Sequence, residues 1–148
     1  MGLRVGPSLM IRAAAVLLLA SFTRTAMTAR IIVGDEAHWT FGYNYTDWAI
    51  RRAPFYQNDT LVFMYDAPNS TTFPHNVYLM KNYRRYLACN LKNATLLANV
   101  VQGVGSGFEY VLRNRKPRYF VCGEHDGLHC TAGMMKFAVH PLKRCHAA

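Results

Sequence analysis

Acidic residues are scarce in this chain. Eight Asp and Glu stand against 17 Lys and Arg over 148 residues, a formal charge of +9 at pH 7. That imbalance suits an acidic polysaccharide or an acidic redox partner. The bases form no long run. Arg84-Arg85 and the stretch 113–118 are short clusters, read as solvated faces and turns, and nucleic acid is not the expected partner. Long apolar runs are also missing. The longest, Ala13 to Phe22, has ten residues, about half of the ~20 a membrane-spanning helix needs. His140 to Ala148 is polar and basic, unlike the hydrophobic tail of a lipid-anchor signal, so no stable membrane anchor is expected. No Ser/His/Asp arrangement, phosphate loop or paired-carboxylate motif stands out. No internal repeat, low-complexity segment or second domain is expected. Enzyme chemistry is not the expectation.

What is present begins with an address. Met1 to Arg12 carries Arg4 and Arg12, the apolar run follows, and small residues come after it. This order reads as a secretory signal peptide, with cleavage expected after Ala29. Residues 30–140 then form one domain and residues 141–148 a short basic tail. Loss of Arg4, Arg12 and Arg24 takes the formal charge from +9 to +6. Four Asn-X-Thr triplets start at Asn44, Asn58, Asn69 and Asn93. Behind an export signal they read as N-glycosylation acceptors. A secreted location, extracellular or in the cell wall, follows from both.

Hydrophobic patterning gives short strands. Arg30–Val33 reads as the first and Trp39–Phe41 as a second extended piece. Tyr45–Arg52 reads as a short helical turn with Thr46 or Asp47 as cap, ended by Pro54. Thr60–Tyr65 and Phe73–Met80 read as strands, and Lys81–Cys89 as a helical turn. Residues 90–104 fit a helix or a strand equally. Phe108–Leu112, Pro117–Cys122 and Met135–His140 complete the set. Many short strands between turn signals predict an all-β sandwich or barrel with one or two short helices.

The chemistry concentrates in Tyr119–Lys136. Cys122, His129 and Met134 offer a thiolate, an imidazole and a thioether. A thiolate with two imidazoles and a weak thioether defines a blue-copper site. His75, opening an extended run, is the candidate second imidazole. A Cys/His/His set also fits zinc; the thioether favours copper. His125 competes with His129, forming a tight Cys-X-X-His pair with Cys122. Met135 competes with Met134 for the inward side of a strand.

These residues resemble the phytocyanins, plant blue-copper proteins of the cupredoxin fold. The family's Tyr-Phe-X-Cys signature stands as Tyr119-Phe120-Val121-Cys122. Its His-Cys-X-X-Gly-Met stands as His129-Cys130-Thr131-Ala132-Gly133-Met134. Its His-Asn-Val stands as His75-Asn76-Val77. Likeness extends from about Ile31 to Val139, through Val33-Gly34, Trp39, Tyr45–Ala49 and Asp59–Tyr65. It implies a cupredoxin-like Greek-key sandwich, one copper ion held by His75, Cys122, His129 and Met134, and single-electron transfer to an unknown redox partner. It also implies a disulfide between Cys89 and Cys130. The family usually places four residues between the copper cysteine and histidine; here there are six, 123–128. The spacing from His129 to Met134 is the family's own, which favours His129 over His125.

Four cysteines allow three full pairings. A Cys122–Cys145 bridge would abolish the copper site. The competing function is that of the early nodulin-like relatives: a surface glycoprotein acting through carbohydrate or protein contacts, with copper weak or absent.

Overall fold

The computed structural model describes residues 27–145. The expected leader therefore lies outside the described residues up to position 26. Among the described residues, seven strands form two sheets. Strands β1 (Arg30–Ile32), β2 (Thr60–Phe63) and β5 (Phe108–Val111) make one sheet in the order β1-β2-β5. Strands β3 (Val77–Leu79), β4 (Thr95–Ala98), β6 (Arg118–Val121) and β7 (Lys136–Val139) make the other, in the order β4-β3-β6-β7. β1 runs parallel to β2, and the other pairings are antiparallel. The interleaved order gives a cupredoxin-like Greek-key sandwich, as expected.

Aromatic rings fill the space between the sheets. Phe63 from one sheet meets Phe120 and Phe137 from the other at 5.3 and 6.0 Å between centroids. Trp39, Tyr45 and Trp48 extend this cluster, all buried. Such rings bury large apolar areas and set the sheet spacing.

Helix α1 (Tyr45–Arg52) has its expected bounds but a different cap. The Asn44 side chain, two residues earlier than Thr46 and just before the helix, accepts from Asp47 N–H. Trp39–Phe41 is not a strand. It is a turn in which Trp39 N–H donates to Met64 O and Thr40 N–H donates to the buried Tyr45 hydroxyl. Helix α2 (Tyr83–Leu87) lies within the expected helical turn. β4 settles the ambiguous 90–104 stretch as strand over four residues, because β3 offers it an open edge. A further helix, α3 (Leu128–Thr131), lies inside the ligand loop. The described chain thus has three short α-helices and a 3-10 turn at Asp35–Ala37, more than the one or two expected.

Strand direction fixes two ends. Cys122 follows β6, and His75 and Asn76 precede its antiparallel neighbour β3. The 113–117 turn and the residues after β7 lie at the opposite end, because Arg118 pairs with Val139. Much of the loop charge divides the same way, although Lys136, paired with Val121, is a base at the Cys122 end and the buried Asp59 an acid at the other. Asp35, Glu36, Asp66, Glu124 and Asp126 lie on loops at the Cys122 end. Arg113, Arg115, Lys116 and Lys143 lie at the other.

Candidate metal centre

β6 delivers Cys122 to the rim of the sandwich, where its sulfur is fully buried. Its backbone N–H donates to Met135 O across to the start of β7. His75 and His129 are buried beside it. His75 Nδ1 and His129 Nδ1 stand 3.1 Å apart, and they lie 4.0 and 3.5 Å from Cys122 Sγ. Among the described residues these three form the one group of His, Cys and acidic side chains whose donor atoms converge, all within 4.8 Å of one another.

The longer loop reaches His129 through local backbone geometry. His125, Asp126 and Gly127 lie in succession in the left-handed region, at φ 51°, 52° and 85°. This turn takes up the added length and starts α3, whose second residue is His129. His125 is exposed. Its ring lies 5.1 Å from the His129 ring but is not part of the converging group. His129 N–H donates to Glu124 O, and Met135 N–H donates to His129 O, which tie the ligand's backbone on both sides.

Burial shapes the protonation states. It lowers the His75 pKa to about 4, with a further push from His129. It lowers that of His129 as well, aided by His125. Both imidazoles are therefore neutral and ready to donate lone pairs at neutral pH. Burial pushes the Cys122 thiol up to about 11, against the opposing pull of backbone N–H groups. A metal cation supplies what this thiol lacks, a positive charge that favours its ionised form.

Met134 differs from the other three. It sits at φ 55°, before β7 begins, and is 41% exposed, whereas Met135 is fully buried in the core. The inward-facing methionine is thus Met135, and strand alternation does not govern Met134. Gly133 beside it is confined by the Phe41 ring, 2.6 Å from where a Cβ would stand. A larger residue there would displace Phe41 from the His129 edge, which it meets edge-on at 5.2 Å.

The disulfide joins Cys89 to Cys130, leaving Cys122 buried and free and Cys145 exposed and free. The Cys122–Cys145 alternative is not formed. All four sequon asparagines are exposed. Two supporting groups were not singled out from sequence. Asn76 stands in the sequence pattern only as part of His-Asn-Val, yet its backbone N–H donates to Cys122 Sγ at 3.5 Å. Its side chain accepts from Gly123 N–H at 2.7 Å and donates to Glu124. Trp39 Nε1 in turn donates to Asn76 O at 3.0 Å. Phe41 carries no sequence signal for its role.

The donor set of one sulfur and two imidazole nitrogens suits copper. The plastocyanin-like domain family matches residues 39–134. Blue copper protein 1a of Medicago truncatula is 32% identical over 115 residues, 75% of this chain and 60% of that protein. Early nodulin-like protein 16 of Arabidopsis thaliana is 33% identical over 117 residues, 79% of this chain and 62% of that protein. Cucumber basic protein, a blue copper protein of known structure, superposes with a TM-score of 0.59 at 27% identity, over 77% of this chain and 100% of its own. The chain spans about 60% of the length of the curated relatives it matches. It belongs to the phytocyanins, the plastocyanin-like copper proteins. Its cofactor is one copper ion.

Proposed function

We propose that this chain is a secreted single-electron carrier and not an enzyme, with His75, Cys122 and His129 as strong copper ligands and Met134 as the weak axial one. The observation that carries the reading is the convergence of three buried donors of the right kinds. Bound copper supplies a one-electron couple. The protein's part is to hold the donors still and dry. Cys122 and the two imidazoles are fixed by β3, β6 and α3, so little rearrangement accompanies a change of charge. Around the outer edge of His129, Phe41, Phe73, His125 and Leu128 line an apolar depression of about 190 Å³. Electrons would pass through that edge.

The test is to express residues 30–148 with the disulfide formed and add Cu(II). An intense visible thiolate-to-copper band is expected. Cys122→Ser abolishes it and His125→Ala retains it. A folded protein with no band would sink the reading.

The likeness to an early nodulin-like protein and the four exposed sequons support a second reading, a surface glycoprotein with weak or absent copper. The same titration separates the two. As to location, among the described residues no helix is long and apolar enough to cross a membrane. For a partner other than the unknown redox protein, the basic end is the natural contact. Arg115, Lys116, His140 and Lys143 line one groove there, suited to an acidic wall polysaccharide and distant from the copper.

A further inference from the structure

Asp59 is a buried carboxylate that the copper site does not use. It is 1% exposed. Its Oδ2 accepts from Tyr56 N–H at 2.9 Å. Its Oδ1 accepts from Arg144 Nη2 at 2.5 Å and from the backbone nitrogen of Ala29 at 2.9 Å. The Arg144 guanidinium lies over the Tyr56 ring at 4.3 Å. One carboxylate thus gathers the beginning and the end of the described domain. Ala29 belongs to that domain by its other contacts. Its carbonyl accepts from Thr60 N–H at 2.8 Å, and it packs against the core. Thr28 and Met27 before it are exposed.

We propose that the export leader is removed at the Thr28–Ala29 bond, one residue earlier than the sequence led us to expect, and that the freed α-ammonium of Ala29 rests on the Asp59 carboxylate. The inference builds on the export reading above. Cleavage after Ala29 would discard a residue that caps β2 and touches the core. It would also put Met27 at the minus-three position, where a small residue is favoured. Cleavage after Thr28 puts Ala26 at minus three and Thr28 at minus one, both small. The step is hydrolysis by the peptidase of the export route. Water adds across the bond, Thr28 leaves as a carboxylate, and Ala29 nitrogen gains hydrogen. An α-amino group has a pKa near ~8, so it is mostly cationic at neutral pH. A neutral amide donor becomes a charged one, and hydrogen bonds between ionised partners are roughly twice as strong as neutral ones. The new charge meets Asp59, the one buried acid among the described residues, at an end of the molecule otherwise rich in base. Maturation in this way locks β1 onto β2 at the moment the leader departs.

The test has two arms. First, the full chain is expressed in a secreting eukaryotic host, the glycans are removed, and the N-terminal peptide is read by mass. A chain starting at Ala29 is expected. A secreted chain starting at Arg30, or anywhere upstream of Ala29, overturns the inference while leaving export intact. An uncleaved chain retained in the cell overturns export as well. Second, chains starting with a free amine at Thr28, Ala29 or Arg30 are released from a fusion and melted. The Ala29 chain is expected to unfold roughly 4 °C or more above the other two, and Asp59→Asn to erase that lead. Equal midpoints overturn the ion pair. If Asp59→Asn does not fold, the acetylation rate of the Ala29 amine decides. It is expected to be several-fold slower in folded than in urea-unfolded chain, and equal rates overturn the pairing.

Discussion

Asn76 and Cys122 are joined across the rim of the sandwich, with the Asn76 backbone N–H aimed at the Cys122 sulfur from 3.5 Å. The Asn76 side chain holds the next residue of the ligand loop, Gly123, by its N–H. Strand end and ligand loop are one unit because of this residue. Replacing it with Ala removes a buried acceptor and leaves Gly123 N–H unmet, a cost of about 1–3 kcal/mol. Asn76→Ala should fold, melt lower, and show a shifted thiolate-to-copper band. An unchanged band and midpoint would deny Asn76 its positioning role.

Met134 should matter to potential and not to stability. It is half exposed, and exposed positions outside special sites generally change stability by less than ~0.5 kcal/mol. Met134→Leu should leave the unfolding midpoint nearly unchanged. It should raise the reduction potential, because the oxidised ion loses a donor. Voltammetry on the copper-loaded variant checks this; an unaltered potential would remove Met134 from the ligand set.

The copper-free protein should weaken in acid. His75 has its folded pKa lowered to about 4 by burial, below the unfolded value of ~6.5. Between these values the unfolded chain binds the proton and the folded chain does not. Stability therefore falls as pH drops from ~6.5 to about 4, by about 3 kcal/mol from this residue. In base the sign reverses through Cys122, whose thiol is raised to about 11. The unfolded thiol ionises first, near ~8.5, so stability falls again as pH rises past that value. Urea titrations of copper-free protein from pH 4 to 10 should trace this dome. His75→Gln should flatten its acid side.

The disulfide should stabilise both fold and site. Its partners are 41 residues apart, and Cys130 follows the ligand His129 directly. Closing such a loop is worth about 4 kcal/mol on the chain-entropy account. The Cys89→Ser, Cys130→Ser double variant should lose about that much in denaturant titrations and bind copper more weakly, since α3 is no longer tied to the turn that follows α2. Unchanged copper affinity would show that the flanking backbone hydrogen bonds suffice to hold His129.

How much of this was legible in the sequence depends on the range of the interactions. Strands β2, β5, β6 and β7 announce themselves by β-branched and aromatic runs, because a half-buried strand needs them. The donors His75, Cys122 and His129 announce themselves by type and spacing. The cap at Asn44 was missed by choosing among residues already inside the helix, although the capping side chain belongs one position before it. Trp39–Phe41 looked extended because its aromatics are strand-like. Its turn is imposed by Met64, 25 residues on and outside any local window, and by the Tyr45 hydroxyl, whose inward position depends on tertiary packing. β4 was ambiguous because Leu96 and Leu97 serve either period, and the partner strand decided it. The left-handed run at His125 and Asp126 was hidden for another reason. Neither is glycine, the residue that marks such turns most plainly.

The division of charge along the strands reverses what net charge alone predicts for reactivity. With 17 bases to eight acids, the molecule as a whole should repel cations. The loops framing Cys122 nevertheless carry Asp35, Glu36, Asp66, Glu124 and Asp126. Over distances near the Debye length, about 8–10 Å at moderate salt, an approaching reactant feels the face in front of it more than the far end. A small cationic oxidant should therefore collide productively with the copper face more often as salt is lowered, and an anionic one less often. The protein is basic by inventory and carries acids around its metal donors.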